Sequence, residues 1–178
     1  MNRKMLLALC MITSFSSPAQ EVIGKMTRDR TCGYIEELLK QKKDIRSCDT
    51  CNTYFAHSGV WVHDEGIILI TEALKKKNND KTFYTTGWSF DPALVDSFII
   101  EPAHDSIMFI RLVYPTKTIN RSIQVIKDNN PVSHQESVVK NFELLFLDRD
   151  GKNTERIREA FLHLKELSIK EKQQATGN

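Results

Sequence analysis

Three cysteines of the chain could do chemistry together: Cys32, and the pair in Cys48-Asp-Thr-Cys51. Three readings compete. In an oxidising compartment Cys32 pairs with Cys48 or Cys51, tying an N-terminal helix to the strands beyond it and leaving one thiol over. That reading is preferred, because a Cys48–Cys51 bridge would close a very short loop and constrain little. A closed loop of about 15 residues could stabilise by ~3 kcal/mol in the chain-entropy model. A zinc reading needs a fourth ligand, and His57 is the nearest histidine to Cys32, Cys48 and Cys51. It lacks the second paired motif that makes such sites specific. A thioredoxin-type reading needs the pair at a helix N-terminus after a strand. Here the pair follows a helix pattern and precedes a strand pattern.

The remaining candidates are weaker. His57 and His63, with Asp64 and Glu65, suggest a metal pair, but both histidines fall on one strand. Six residues at ~3.3 Å each hold them about 20 Å apart, too far for one ion. His104, His134 and His163 sit in turn, loop and helix contexts and read as solvated. Trp88 follows Gly87 in a Thr/Ser-rich run, where a backbone can approach a ligand closely. This makes Trp88 a candidate ligand contact, against the simpler reading that Trp61 and Trp88 are both core. Asn120-Arg-Ser122 fits a glycan acceptor. The chain has no G-x-S-x-G elbow and no H-E-x-x-H, and its seven glycines are scattered rather than gathered into a phosphate loop. No catalytic residue and no cofactor is therefore assigned.

Arg3 and Lys4 precede the apolar run of residues 5–12, and Ser16-Ser17-Pro18-Ala19 comes after it. This three-part pattern is that of a secretory signal over residues 1–19, with Ser17 and Ala19 at positions −3 and −1 of a cut before Gln20. The product is expected to be exported, periplasmic or secreted. The apolar run is short of the ~20 residues that span a bilayer, and no second run exists downstream, so no transmembrane segment is expected. Cys10 is preceded by Leu9 where a lipidated cysteine has a small residue. Residues 20–178 suit one globular domain. Without residues 1–19 the chain has 23 basic and 23 acidic residues. Such a balance offers no basic field to nucleic acid. A protein, peptide or small ligand is the expected partner.

The elements that must position these residues are set by periodicity. Tyr34, Ile35, Leu38 and Leu39 place a helix over 29–43, its lysines near the negative pole of the helix dipole. Strands are expected over 54–63, 67–74, 82–90, 95–101, 107–114, 119–126 and 138–147. The first two form a hairpin across residues 63–66. The fourth and fifth form another across residues 102–105. Lys75 to Lys81 reads as a solvated loop and Asn129-Asn130-Pro131 as another. Residues 107–114 are nearly continuously apolar and belong at the centre of a sheet. Ile119, Ile123 and Val125 share a face, as do Phe142, Leu144 and Phe146. Asn153 or Thr154 caps a helix over 154–170 with a stripe of Ile157, Ala160, Phe161, Leu164 and Leu167. The tail from Lys172 is polar and expected to fray.

About seven antiparallel strands closed by one amphipathic helix is an α+β arrangement, a small barrel or curved sheet whose open face the helix covers. With its added N-terminal helix, this order resembles the pleckstrin-homology-like architecture. The closing segment 153–167 resembles the ends of uncharacterised exported proteins of Bacteroidetes type, and the Ala19-Gln20 junction agrees with that source. The first resemblance implies binding of a lipid, peptide or protein; the second implies no activity. Together they favour a non-catalytic extracytoplasmic binding module. The alternative is a small metal-binding or redox protein built on Cys32, Cys48 and Cys51. Fold alone does not choose between them.

Overall fold

The computed structural model describes residues 22–177 apart from 49, 64–65, 78 and 105. The expected signal segment lies outside the described residues. Helix α1 spans Arg28–Lys40. The Thr27 side chain caps it by accepting from the Arg30 amide, satisfying one of the amides that a helix start leaves without a partner. Cys32, Ile35, Leu38 and Leu39 are buried along one stripe, as their spacing predicts. The helix stops at Lys40 rather than at residue 43. Past it, Asp44 adopts a positive φ of 62° and turns the chain back. Residues 44–47 then lie against the next strand, with main-chain bonds from Asp44 to Phe55 (2.8 Å), Phe55 to Ile45 (3.0 Å) and Ser47 to Thr53 (2.9 Å).

Eight strands come next: β1 Thr53–Val62, β2 Ile68–Lys76, β3 Asn79–Phe90, β4 Ser97–His104, β5 Ile107–Val113, β6 Ile119–Lys127, β7 Asn130–Val139 and β8 Asn141–Leu147. They form two antiparallel sheets, ordered β1-β2-β3-β6-β7 and β4-β5-β8. The fold class is therefore α+β, as expected, and β5 is central to its sheet. The strand pairings among the described residues give two open sheets and no closed ring.

Two strand expectations need correction. Asn130 and Pro131, expected in a loop, and His134 beyond them belong to β7. Asp128 and Asn129 both have positive φ (50° and 65°), the turn that joins β6 to β7 in a hairpin. The segment 138–147 is not one strand. Val138 and Val139 complete β7 in the first sheet, and Lys140 marks the crossing to β8 in the second. The lysine-rich stretch is also shorter as a loop than expected, since β2 runs to Lys76 and β3 begins at Asn79.

The two sheets meet through aromatic rings. Trp88 stacks on Phe142 at 5.5 Å between centroids, and Phe90 packs on Phe142 at 4.9 Å. Ile110, Leu112, Leu144 and Phe146 complete this core. Helix α2, Lys152–Thr176, closes it with Ile157, Ala160, Phe161 and Leu164, all at most 1 % exposed. The helix starts earlier and ends later than 154–170, and residues 172–176 are helical. Its first amides are satisfied by Asp148, whose two carboxylate oxygens accept from Asn153 (3.1 Å) and Thr154 (3.0 Å). That is capping by a carboxylate from the preceding turn, favoured by the helix dipole, rather than by Asn153 or Thr154. His163, expected to be solvated, is buried. Its Nε2 lies 2.9 Å from the Met26 carbonyl, joining α2 to the segment before α1.

Candidate functional site: the open face of the five-stranded sheet

The cysteines do not converge as expected. Cys48 and Cys51 form a disulfide, with Cα atoms 5.1 Å apart, and Cys32 is a free, buried thiol. Cys32 therefore pairs with neither. Cys32 lies on the buried stripe of α1, whereas Cys48 and Cys51 belong to the turn between Ser47 and Thr53, after the helix. The Cys32 side chain instead packs in the core cluster with Ile35 and Leu39, and burial raises its pKa from 9.0 to about 12, with the charge of Asp29 adding to the shift. The Cys48–Cys51 pair closes within its own turn, where the Cys51 amide donates to the Cys48 carbonyl (3.2 Å). With two of its sulfurs bonded to each other, the set Cys32, Cys48, Cys51 and His57 is no zinc site, and His57 stands exposed on β1. Among the described residues no three or more His, Cys, Asp or Glu side chains are grouped to hold a metal ion.

Trp88 and its neighbour Gly87 separate in function. Side chains alternate across a strand, so Trp88 faces the aromatic core and is only 8 % exposed. Gly87 faces the other way. It forms part of an open cleft of about 550 Å³ with Leu69 of β2, Ser89 of β3, Asn120 and Ser122 of β6, and Glu136 of β7. Backbone pairing sets the geometry. Gly87 lies opposite Ser122 and Ser89 opposite Asn120, while Ser122 lies opposite Glu136 on its other side. A Cβ on Gly87 would come 2.8 Å from the Ser122 hydroxyl oxygen, so a side chain at this position would displace Ser122 and take up cleft space. The cleft thus presents the hydroxyls of Ser89 and Ser122, a carboxamide and a carboxylate around a bare stretch of backbone, with Arg121 and Ser137 also in its lining and Val138 as an apolar margin. Its lining has no histidine or cysteine. The arrangement supplies hydrogen-bonding groups and shape.

Beside the cleft, Gln124 Nε2 lies 3.1 Å from His134 Nδ1, and His134 Nε2 lies 3.0 Å from Glu136 Oε1. This chain of contacts aligns the imidazole along the exposed face of β6 and β7. Sequence reasoning misses it because it places His134 in a loop. The turn residues Asp128-Asn129 are the available signal.

A second polar group lies elsewhere, inside the fold. Lys42, fully buried, bonds the Glu72 carboxylate of β2 and the Leu145 carbonyl of β8. Its ammonium also sits 4.6 Å from the Phe55 ring centroid, a favourable cation–π geometry. Burial pulls the Lys42 pKa below the usual lysine range, against the opposing attraction of Glu72. On the surface of α1, Glu36 binds Lys40 and accepts from the Val60 amide of β1 at 3.1 Å; the Lys40 hydrogen bond is the chief cause holding its carboxyl below the usual range. These contacts fasten α1 and the turn after it to both sheets.

No helix among the described residues is long and apolar enough to cross a membrane. Comparison with family models, with curated proteins and with solved structures returned no match to this chain.

Proposed function

We propose that this chain is an extracytoplasmic, non-catalytic binding module, and that its ligand seats on the open face of the five-stranded sheet over Gly87. The observation that carries the reading is the cleft itself, with hydroxyl, amide and carboxylate groups converging on a residue that has no side chain. Concave sites with a few placed polar groups are the usual form of a small-ligand site. The chemistry suits an uncharged polar ligand, such as a short extended peptide or a neutral saccharide, able to exchange hydrogen bonds with Ser89, Asn120 and Ser122. The leader pattern of residues 1–19 and the Cys48–Cys51 disulfide support the extracytoplasmic setting. Strands in succession, then a long C-terminal helix, support the pleckstrin-homology-like reading of the architecture.

The test is an amide NMR titration with a panel of uncharged peptides and neutral disaccharides. The expected shifts cluster at Gly87, Ser89, Asn120, Ser122 and Glu136. Ser122→Tyr, which fills the cleft from β6, should abolish them while circular dichroism stays unchanged. Shifts confined to other faces, or none at millimolar ligand, would overturn the reading.

A further inference from the structure

We infer that the protein self-associates through β7, the β7 strands of two copies pairing antiparallel about a twofold axis at Gln135. β7 is the outer strand of its sheet, and nine of its ten residues are exposed. Exposed outer strands are templates for pairing, and proteins that stay apart blunt them with lysines, prolines, bulges or a covering segment. The opposite edge of the same sheet, β1, is covered by residues 44–47 and by Glu36. In the smaller sheet, β4 carries Pro102 and a bulge beside it. β7 contains no lysine; its proline, Pro131, and the bulge at Val132 both stand at its start, and the run from Ser133 to Val139 pairs regularly with β6.

The sequence of that strand is matched to itself. Residues 132–138 read Val-Ser-His-Gln-Glu-Ser-Val. Reversed, the run is the same except at positions 134 and 136, where histidine and glutamate exchange. In a twofold antiparallel pairing about Gln135, Val132 meets the second copy's Val138, Ser133 meets Ser137, and His134 meets Glu136. Each contact occurs twice, as an isologous interface requires. Apolar pairs and hydrogen-bonding pairs directly across a strand pair are stabilising ones. Val132 and Val138, 59 % and 50 % exposed in one copy, would cover each other. Val138 lies on one face of the strand with His134 and Glu136, and Val132 is the extra residue of the bulge that precedes Ser133. Within one copy His134 and Glu136 are already 3.0 Å apart, and the same hydrogen-bonding groups serve the contact between copies. Shifting the register by two residues sets Val opposite His or Glu, so composition favours this one alignment. The result is a continuous ten-stranded sheet, with the two clefts flanking the axis on one face.

Sedimentation equilibrium of the purified protein over micromolar to hundreds of micromolar concentrations should show a mass doubling. His134→Glu places carboxylates opposite each other at both symmetric contacts and should weaken association at least tenfold. Adding Glu136→Lys to that variant places opposite charges across both contacts and should restore the dimer. Gln135→Cys, facing its own copy, should oxidise to a covalent dimer. Ser133→Cys should not, because the two copies of residue 133 are offset by ~13 Å along the strand, beyond the disulfide limit. The native Cys32 is buried and stays silent. A monomer at every concentration would overturn the inference. So would a dimer indifferent to His134→Glu, or equal crosslinking at 133 and 135. Because Glu136 and Val138 also line the cleft, sedimentation is read without ligand and the NMR titration at a concentration where the protein is a single species, which keeps the two outcomes separate.

Discussion

The ammonium of Lys42 and the carboxylate of Glu72 form an ion pair inside the fold, with the Lys42 side chain 0 % and the Glu72 side chain 10 % exposed. The pair joins the turn after α1 to β2, and the bond from Lys42 to the Leu145 carbonyl extends the link to β8. Two charges taken out of water cost much of what their attraction returns. The main effect of such a pair is seen when one partner is removed.

Lys42→Met leaves the Glu72 carboxylate and the Leu145 carbonyl without their donor. It should destabilise by about 3–5 kcal/mol, the range for breaking a buried ion pair. The double variant Lys42→Met/Glu72→Leu should be markedly more stable than the single, because no uncompensated charge remains. Urea unfolding of the wild type, both single variants and the double gives the coupling directly. A double variant as unstable as the sum of its singles would mean that the two charges act independently.

Phe161 lies at 1 % exposure on α2, with its ring 6.1 Å from that of Phe98 of β4. Phe161→Ala should cost about 3–5 kcal/mol through lost burial and the cavity left behind. Chemical denaturation measures it. A loss below about 1 kcal/mol would show that the helix stripe is not part of the core.

Cys32 makes stability depend on alkaline pH. An unfolded thiol gives up its proton near 9.0, whereas burial holds that of Cys32 to about 12. Between these values the unfolded chain has released a proton that the folded chain retains, so rising pH favours unfolding. The contribution is whole below pH 9 and is lost progressively as pH climbs towards 12. Subtracting the stability of Cys32→Ala from that of the wild type at each pH isolates it. The difference should fall steadily above pH 9. A flat difference would mean that the Cys32 thiolate is solvated.

Legibility in the sequence depends on which elements bury one face. The stripes Ile35/Leu38/Leu39 and Ile157/Phe161/Leu164 are unambiguous because only the helical period gathers them, and both are core. Phe142, Leu144 and Phe146 alternate cleanly for the same reason in β8. β7 is illegible because it is exposed on both faces, so it shows no alternation and resembles a polar loop. Its hairpin turn, Asp128-Asn129, holds the local sign of it. The crossing from β7 to β8 is hidden by apolar residues on both sides of Lys140. Lys42 cannot be singled out from Lys40 and Lys43 by residue type, since its partner is the acid at position 72, distant in sequence. In the cleft, the Gly87-Trp88 pair is conspicuous, but its significance rests with the glycine, because alternation sends the Trp88 side chain to the opposite face.

The Cys48–Cys51 disulfide should contribute modestly to stability. Its sequence separation is 3, and the chain-entropy model gives a closed loop that short about 2 kcal/mol. Its turn is also held by independent contacts, the Ser47 amide bonding the Thr53 carbonyl at 2.9 Å and the Ser47 and Thr53 hydroxyls meeting at 2.6 Å. Mild reduction of the folded protein should therefore open the bond without unfolding the domain. Alkylation and then peptide mapping should label Cys48 and Cys51 together, while Cys32, at 2 % exposure, reacts only after denaturant is added. Thermal unfolding before and after reduction should differ by only a few degrees for a domain of this size. Labelling of Cys32 in step with the other two would mean that reduction opens the core. Protection of all three would mean that the bond is sequestered more deeply than the half-buried turn allows.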